Sequence, residues 1–233
     1  MSKLDVNDAL LVRLIGEVAP LVGGLTGWDL RLAGLRQRVL PKNQGYEEIV
    51  EGKLRALGLP VNPRRDLITR AVEYLVENNV LAAYEPLNNE LLVIRENVDD
   101  SNLDGLRLLL GHELTHRAQH MRHPEIFEYV NRTLVSLLDQ AEYGSDPMEL
   151  RTQFENVQPV MTLIESHASY IQASLHQRYY PDAIIETRFT LPVILFQLLG
   201  YGKTAQYTDG LPAVNAAMRH GTVDGLFGSL AQA

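Results

Sequence analysis

Residues 111–116 read Gly-His-Glu-Leu-Thr-His, so His112 and His116 stand four apart with the carboxylate of Glu113 directly after the first. On a helix, residues at that spacing lie about 40° apart and one turn from each other, so both imidazoles can reach one metal ion. Glu113 projects beside that stripe, where it can meet a water in an open coordination position without itself occupying the metal. The chemistry this pattern serves is hydrolytic: a cation polarises a water and a neighbouring base takes its proton. On a solvated face the same two histidines would do nothing of the kind. The chain contains no cysteine, which excludes thiolate ligands, disulfides and thiol redox control and leaves His and carboxylate as the strong ligands.

A zinc site of this type needs a third protein ligand. The extension His-Glu-x-x-His-x-x-Gly-x-x-His fails, because Gln119 stands at the Gly position and Arg122 at the third His, with His120 and His123 off register. A second Glu-x-x-His, as a di-iron bundle would require, is absent. Gly221-Thr222-Val223-Asp224 offers Asp224 in a Gly-Thr-x-Asp element, although the same residues also read as a C-terminal turn. Glu165 shares a polar helix face with Ser169, Gln172 and His176, opposite Ile164, Ala168, Ile171 and Leu175. It can therefore face a polar site. His167 lies about 200° around from Glu165, so on a regular helix the two cannot hold the same ion. Glu165 is the expected third ligand and Asp224 the lesser candidate, with His167 in a packing or orienting role.

The elements that position these residues can be read from hydrophobic period and punctuation. Ser101 and Asp104 form a capping pair for a helix running to about His123, ahead of Pro124. Its leucines at 103, 106, 110 and 114, with Met121, fall within about 80° of arc and predict a core face opposite the histidines, with Arg117 close to that apolar stripe. The runs Val80 to Glu85 and Glu90 to Glu96, joined by Pro86-Leu87-Asn88-Asn89, predict a β-hairpin. Further helices are predicted at 4–22, stopped by Gly23-Gly24, and at 44–57, 64–77, 124–143, 159–180, 181–199 and 212–219. The fold class is mainly α with a small β-hairpin or sheet. A single domain over 1–233 is expected, with 1–100 as scaffold and hairpin and 101–233 carrying the metal-site helices.

With 233 residues, 45% hydrophobic and 21% charged, the chain can bury a core of useful size. Its net charge of −8 would repel a phosphate backbone, so nucleic acid is excluded as a partner. Asp5, Asp8, Arg13 and Glu17 interrupt the N-terminal apolar residues, and the run 191–200 is broken by Gln197. Neither a signal peptide nor a membrane span is expected, and the location expected is the cytoplasm.

Gly111-His112-Glu113-Leu114-Thr115-His116 followed by Glu165-Ser166-His167-Ala168 resembles the type 2 zincin-like metallopeptidases, a bacterial family of zinc-dependent hydrolases with a Glu-Gly-His-Ala element. Ser166 replaces the usual Gly. Lys203 to Gly210 resembles the family's Lys-x-x-Gln-Tyr-x-x-Gly element, and Gly221 to Leu226 its closing Gly-x-x-x-Leu segment, so the likeness covers about residues 105–228. The resemblance implies a zincin-like fold with the motif helix packed among helices and one zinc per chain. It favours Glu165 over Asp224 as ligand. Among His120, Tyr170, His176, Tyr179, Tyr180 and Tyr207, which could stabilise an oxyanion, it adds weight to Tyr207. In zincins an edge strand ahead of such a motif helix pairs with an extended peptide, and Leu91 to Ile94 stands in that place, so an edge strand is expected there. The expected activity is amide hydrolysis in a peptide or protein, with Glu113 as general base. The alternative is a non-catalytic zincin-like scaffold, its metal closed by a fourth ligand such as His120, His123, His167 or His176. Retention of Glu113 argues for the enzyme.

Overall fold

Asn7 opens the first helix of the computed structural model, which describes residues 3–58, 61, 67–143, 147–185 and 210–230. The Asn7 side chain accepts from the Leu10 N–H at 3.0 Å and starts α1, Asp8–Thr26. The helix runs past Gly23-Gly24 and ends instead at Gly27, whose φ of 71° is the left-handed cap that Gly adopts freely. By length and composition α1 is apolar enough to cross a membrane. In this structure Leu11, Leu14, Ile15, Val18 and Val22 are buried, and Glu17 on another face bonds Arg107 at 2.7 Å.

The described residues up to Ala118, with those from Ile171 to 185, form one compact unit, and those from Gln119 to Tyr170, with 210–230, form a second. In the first, α1 is followed by the strand β1, Arg36–Leu40. Short 3-10 and π turns at Lys42–Gln44 and Glu47–Glu51 then lead into α2, Gly52–Ala56. The helix predicted over 44–57 is thus present, continuous through residue 56 but wound in turn as 3-10, π and α. Next come α3, Leu67–Asn79, and the predicted hairpin, β2, Ala82–Glu85, and β3, Glu90–Ile94. β1 pairs parallel to β3 on its other side, giving the order β1-β3-β2. β3 is therefore the middle strand, and all five of its residues are buried. The expectation of an edge strand there is corrected: both of its sides are taken.

The hairpin turn ends at Asn89, with φ of 49°, a left-handed conformation that Asn tolerates better than other non-Gly residues. Glu85 and Glu90 face each other across the hairpin, an arrangement that would repel. Lys53 meets Glu85 at 3.1 Å, and Arg38 meets Glu90 at 2.7 Å and Glu48 at 2.7 Å, so each carboxylate has its cation.

The motif helix is α4, Leu103–Arg122. Its start is capped by Asn102, whose side chain accepts from the Gly105 N–H at 2.8 Å, and Ser101 bonds Asp99 instead. The predicted division into a core face and an open face does not hold, because every residue from Leu108 to Gln119 is buried while Met121 is exposed. At Gly111 the helix packs so closely that an added Cβ would collide with Leu175, with Val18 also in contact.

The second unit holds α5, Pro124–Tyr143, and the part of α6, Pro147–Tyr179, up to Tyr170; α6 begins 12 residues before the predicted start and carries Pro159 in its interior. Tyr179 ends α6, and 181–185 are not helical. The rest of the helix predicted at 181–199 lies outside the described residues. The chain closes with α7, Leu211–His220, ended by left-handed Gly221, and α8, Val223–Leu230. The fold is mainly α with a small sheet.

Candidate metal centre

The spacing read from the sequence becomes geometry on α4. The Nε2 atoms of His112 and His116 face each other at 3.1 Å, with the rings edge to face at 4.8 Å between centroids. Glu165 of α6 completes a buried group with them, one ligand atom from each lying within 4.8 Å of the others. Two imidazole nitrogens about 2.05 Å from a tetrahedral zinc would stand about 3.3 Å apart. The observed separation is close to that value, and two ring nitrogens plus a carboxylate oxygen are a suitable donor set. The residues fit a metal ion. Among the described residues no fourth His, Asp or Glu joins the group.

Glu113 is 3% exposed, and its Oε2 accepts the Tyr84 backbone N–H at 2.8 Å. The reason lies in the register of the hairpin. The Ile94 N–H donates to the Leu81 carbonyl at 2.9 Å, which with the antiparallel pairing turns residues 83 and 85 toward β3 and the Tyr84 N–H outward. One carboxylate oxygen of Glu113 is thereby tied to the sheet.

Arg117, one turn beyond Glu113, is buried at 3% exposure without being misplaced. Its guanidinium donates to the Asn89 side chain and to the carbonyls of Arg31 and Ala33. Asn89 also receives the Tyr84 hydroxyl at 3.1 Å and donates to the Gly34 carbonyl at 2.8 Å. Burial pushes the Tyr84 phenol up, with Arg117 opposing the shift. The hairpin is thus fastened to α4 at Glu113 and again at Arg117. Tyr84 and Asn89 escape a sequence reading because one acts through its backbone and the other through a turn conformation.

The remaining candidates are distributed as follows. Asp224 belongs to an ion pair with Arg122 at 2.8 Å, and lies 3.4 Å from His123. The Arg122 guanidinium holds its carboxyl below the ordinary range. His167 is fully buried, with Nδ1 3.1 Å from the Gln119 amide nitrogen. His176 bonds the Ala183 carbonyl at 3.1 Å, His120 packs on Phe127, and Tyr180 lies beside Arg107. Tyr179 is exposed and Tyr170 half-buried. Tyr207 and Lys203 lie outside the described residues. Gly210, which closes that element, abuts Ser166 so closely that a Cβ would collide with the serine hydroxyl.

No family model matches the chain, and no curated protein matches it. Among solved structures it is similar to that of a putative hydrolase with a novel fold from Chloroflexus aurantiacus. The TM-score is 0.55 at 21% identity, over 92% of this chain and 79% of that one. The likeness is one of fold.

Proposed function

We propose that the protein is a zinc-dependent hydrolase that cleaves amide bonds in a peptide or protein. The observation that carries this reading is the buried group of His112, His116 and Glu165 on the same helix pair that presents Glu113, a carboxylate with one oxygen held by the Tyr84 N–H. The fold likeness to a protein described as a putative hydrolase is in keeping with the class.

His112, His116 and Glu165 would hold one zinc ion, which when bound lowers the pKa of its water toward ~7 and polarises a carbonyl oxygen. Glu113 is the general base: its second oxygen takes the water's proton and returns it to the leaving amine. The Tyr84 N–H keeps the carboxylate from rotating away between those two transfers. Tyr207 is assigned to the developing oxyanion by the resemblance of its segment, in keeping with the need for a donor there.

The test compares zinc-loaded wild type with Glu113→Gln on a broad peptide library, read by mass spectrometry. Glu113→Gln should keep its zinc and its fold while turnover falls by about 10²–10⁴-fold, the usual worth of a general base. Equal cleavage by both proteins would reject Glu113 as the base, and zinc-loaded wild type that cleaves nothing would favour the scaffold reading.

A further inference from the structure

We propose that Gln119 is a positioning residue for Glu165, holding the carboxylate's turn of α6 in place through both hydrogens of its amide; the inference rests on the metal-centre reading above. Gln119 lies one turn beyond His116 on α4 and is fully buried. Its Nε2 lies 2.9 Å from the Ile164 carbonyl oxygen and 3.1 Å from His167 Nδ1. A primary amide nitrogen carries two hydrogens. Here one goes to the residue just before Glu165 and the other to the residue two after it.

The orientation of this amide is determined. A carbonyl can only accept, so the nitrogen of Gln119 and not its oxygen must face Ile164, and His167 Nδ1 then receives the second hydrogen. Ile164, Glu165, Ser166 and His167 are each no more than 6% exposed, so water cannot readily replace a lost amide hydrogen. Phe227 meets the His167 ring edge-on at 5.6 Å and stacks on His123 at 5.2 Å, backing the imidazole with an apolar wall.

The experiment is a double-mutant cycle on zinc affinity, measured with wild type, Gln119→Leu, Glu165→Ala and the double variant. Chelator competition serves the tight binders and direct titration the weak ones. Gln119→Leu is expected to weaken zinc binding about 10–100-fold, the usual effect of removing a group that orients a ligand. In the Glu165→Ala background the same change should cost less than about threefold, because its effect travels through Glu165. Unchanged affinity in Gln119→Leu, or an equal loss in both backgrounds, would overturn the inference while leaving the metal centre standing. A wild type that binds no zinc would end the metal-centre reading and this inference with it. Should the leucine variant fail to fold, Gln119→Glu keeps the size, sets an acceptor against the Ile164 carbonyl, and is judged by the same two criteria.

Discussion

Glu113 and Glu165 are both carboxylates with under 5% exposure, yet their surroundings differ, and the roles proposed for them differ accordingly. Glu113 receives a backbone N–H from the sheet, whereas Glu165 stands within reach of two imidazole nitrogens. Removing a ligand and removing a base should therefore read out differently. Glu165→Ala, His112→Ala and His116→Ala are each expected to lower bound zinc well below one per chain, as measured by metal analysis after dialysis. Asp224→Ala should keep wild-type zinc content, since that carboxylate is occupied by Arg122. Zinc lost from Asp224→Ala and retained in Glu165→Ala would reverse the assignment of the third ligand. At this scale the His-Glu-x-x-His spacing and the polar face of Glu165 were legible, because both follow from helical period alone. The partners of Glu113 and Arg117 were not. They come from residues 84 and 89, whose contribution depends on strand register and on a positive φ.

Short apolar runs and turn chemistry make the hairpin visible, and the buried run Leu91 to Ile94 is a strand as expected. What periodicity could not convey was its neighbour. β1 begins Arg36-Gln37-Arg38, a charged stretch that enters the sheet because Arg38 finds Glu90 on β3 and Glu48 on the following turn. A long-range ion pair leaves no periodic trace. The same limitation hid the extent of α6, where Pro159 looks like a helix start and lies inside the helix instead. The paired carboxylates at the hairpin's end give this element a measurable dependence on charge. Lys53 is 13% and Glu85 5% exposed in side chain, so Lys53→Met would leave Glu85 buried opposite Glu90 without its nearest cation. The expected cost is about 3 kcal/mol in denaturant unfolding, the scale on which breaking a buried pair is felt. A change below about 0.5 kcal/mol, the level of an ordinary surface substitution, would mean that the pair is solvated after all.

Across the molecule, the mainly helical fold with a small sheet agrees with the reading from hydrophobic period and punctuation. The burial of α4 was not foreseen at that scale. Its leucines suggested one hidden side, but Thr115, Arg117 and Gln119 are covered as well, each at 3% exposure or less. A helix whose residues are all buried from Leu108 to Gln119 offers little surface to local fluctuations. Its amide hydrogens should exchange with deuterium only when the whole fold opens, whereas a half-exposed helix would exchange through smaller fluctuations. Mass spectrometry after timed labelling should find peptides spanning 108–119 among the slowest in the chain, with the exposed end at Met121 and Arg122 much faster. Rapid uptake across 108–119 would contradict the enclosure. The helix proposed to do the chemistry thus also serves as the gauge of global opening, and its deuterium uptake relative to an unprotected peptide sets an upper limit on the fraction of molecules that are open at any moment.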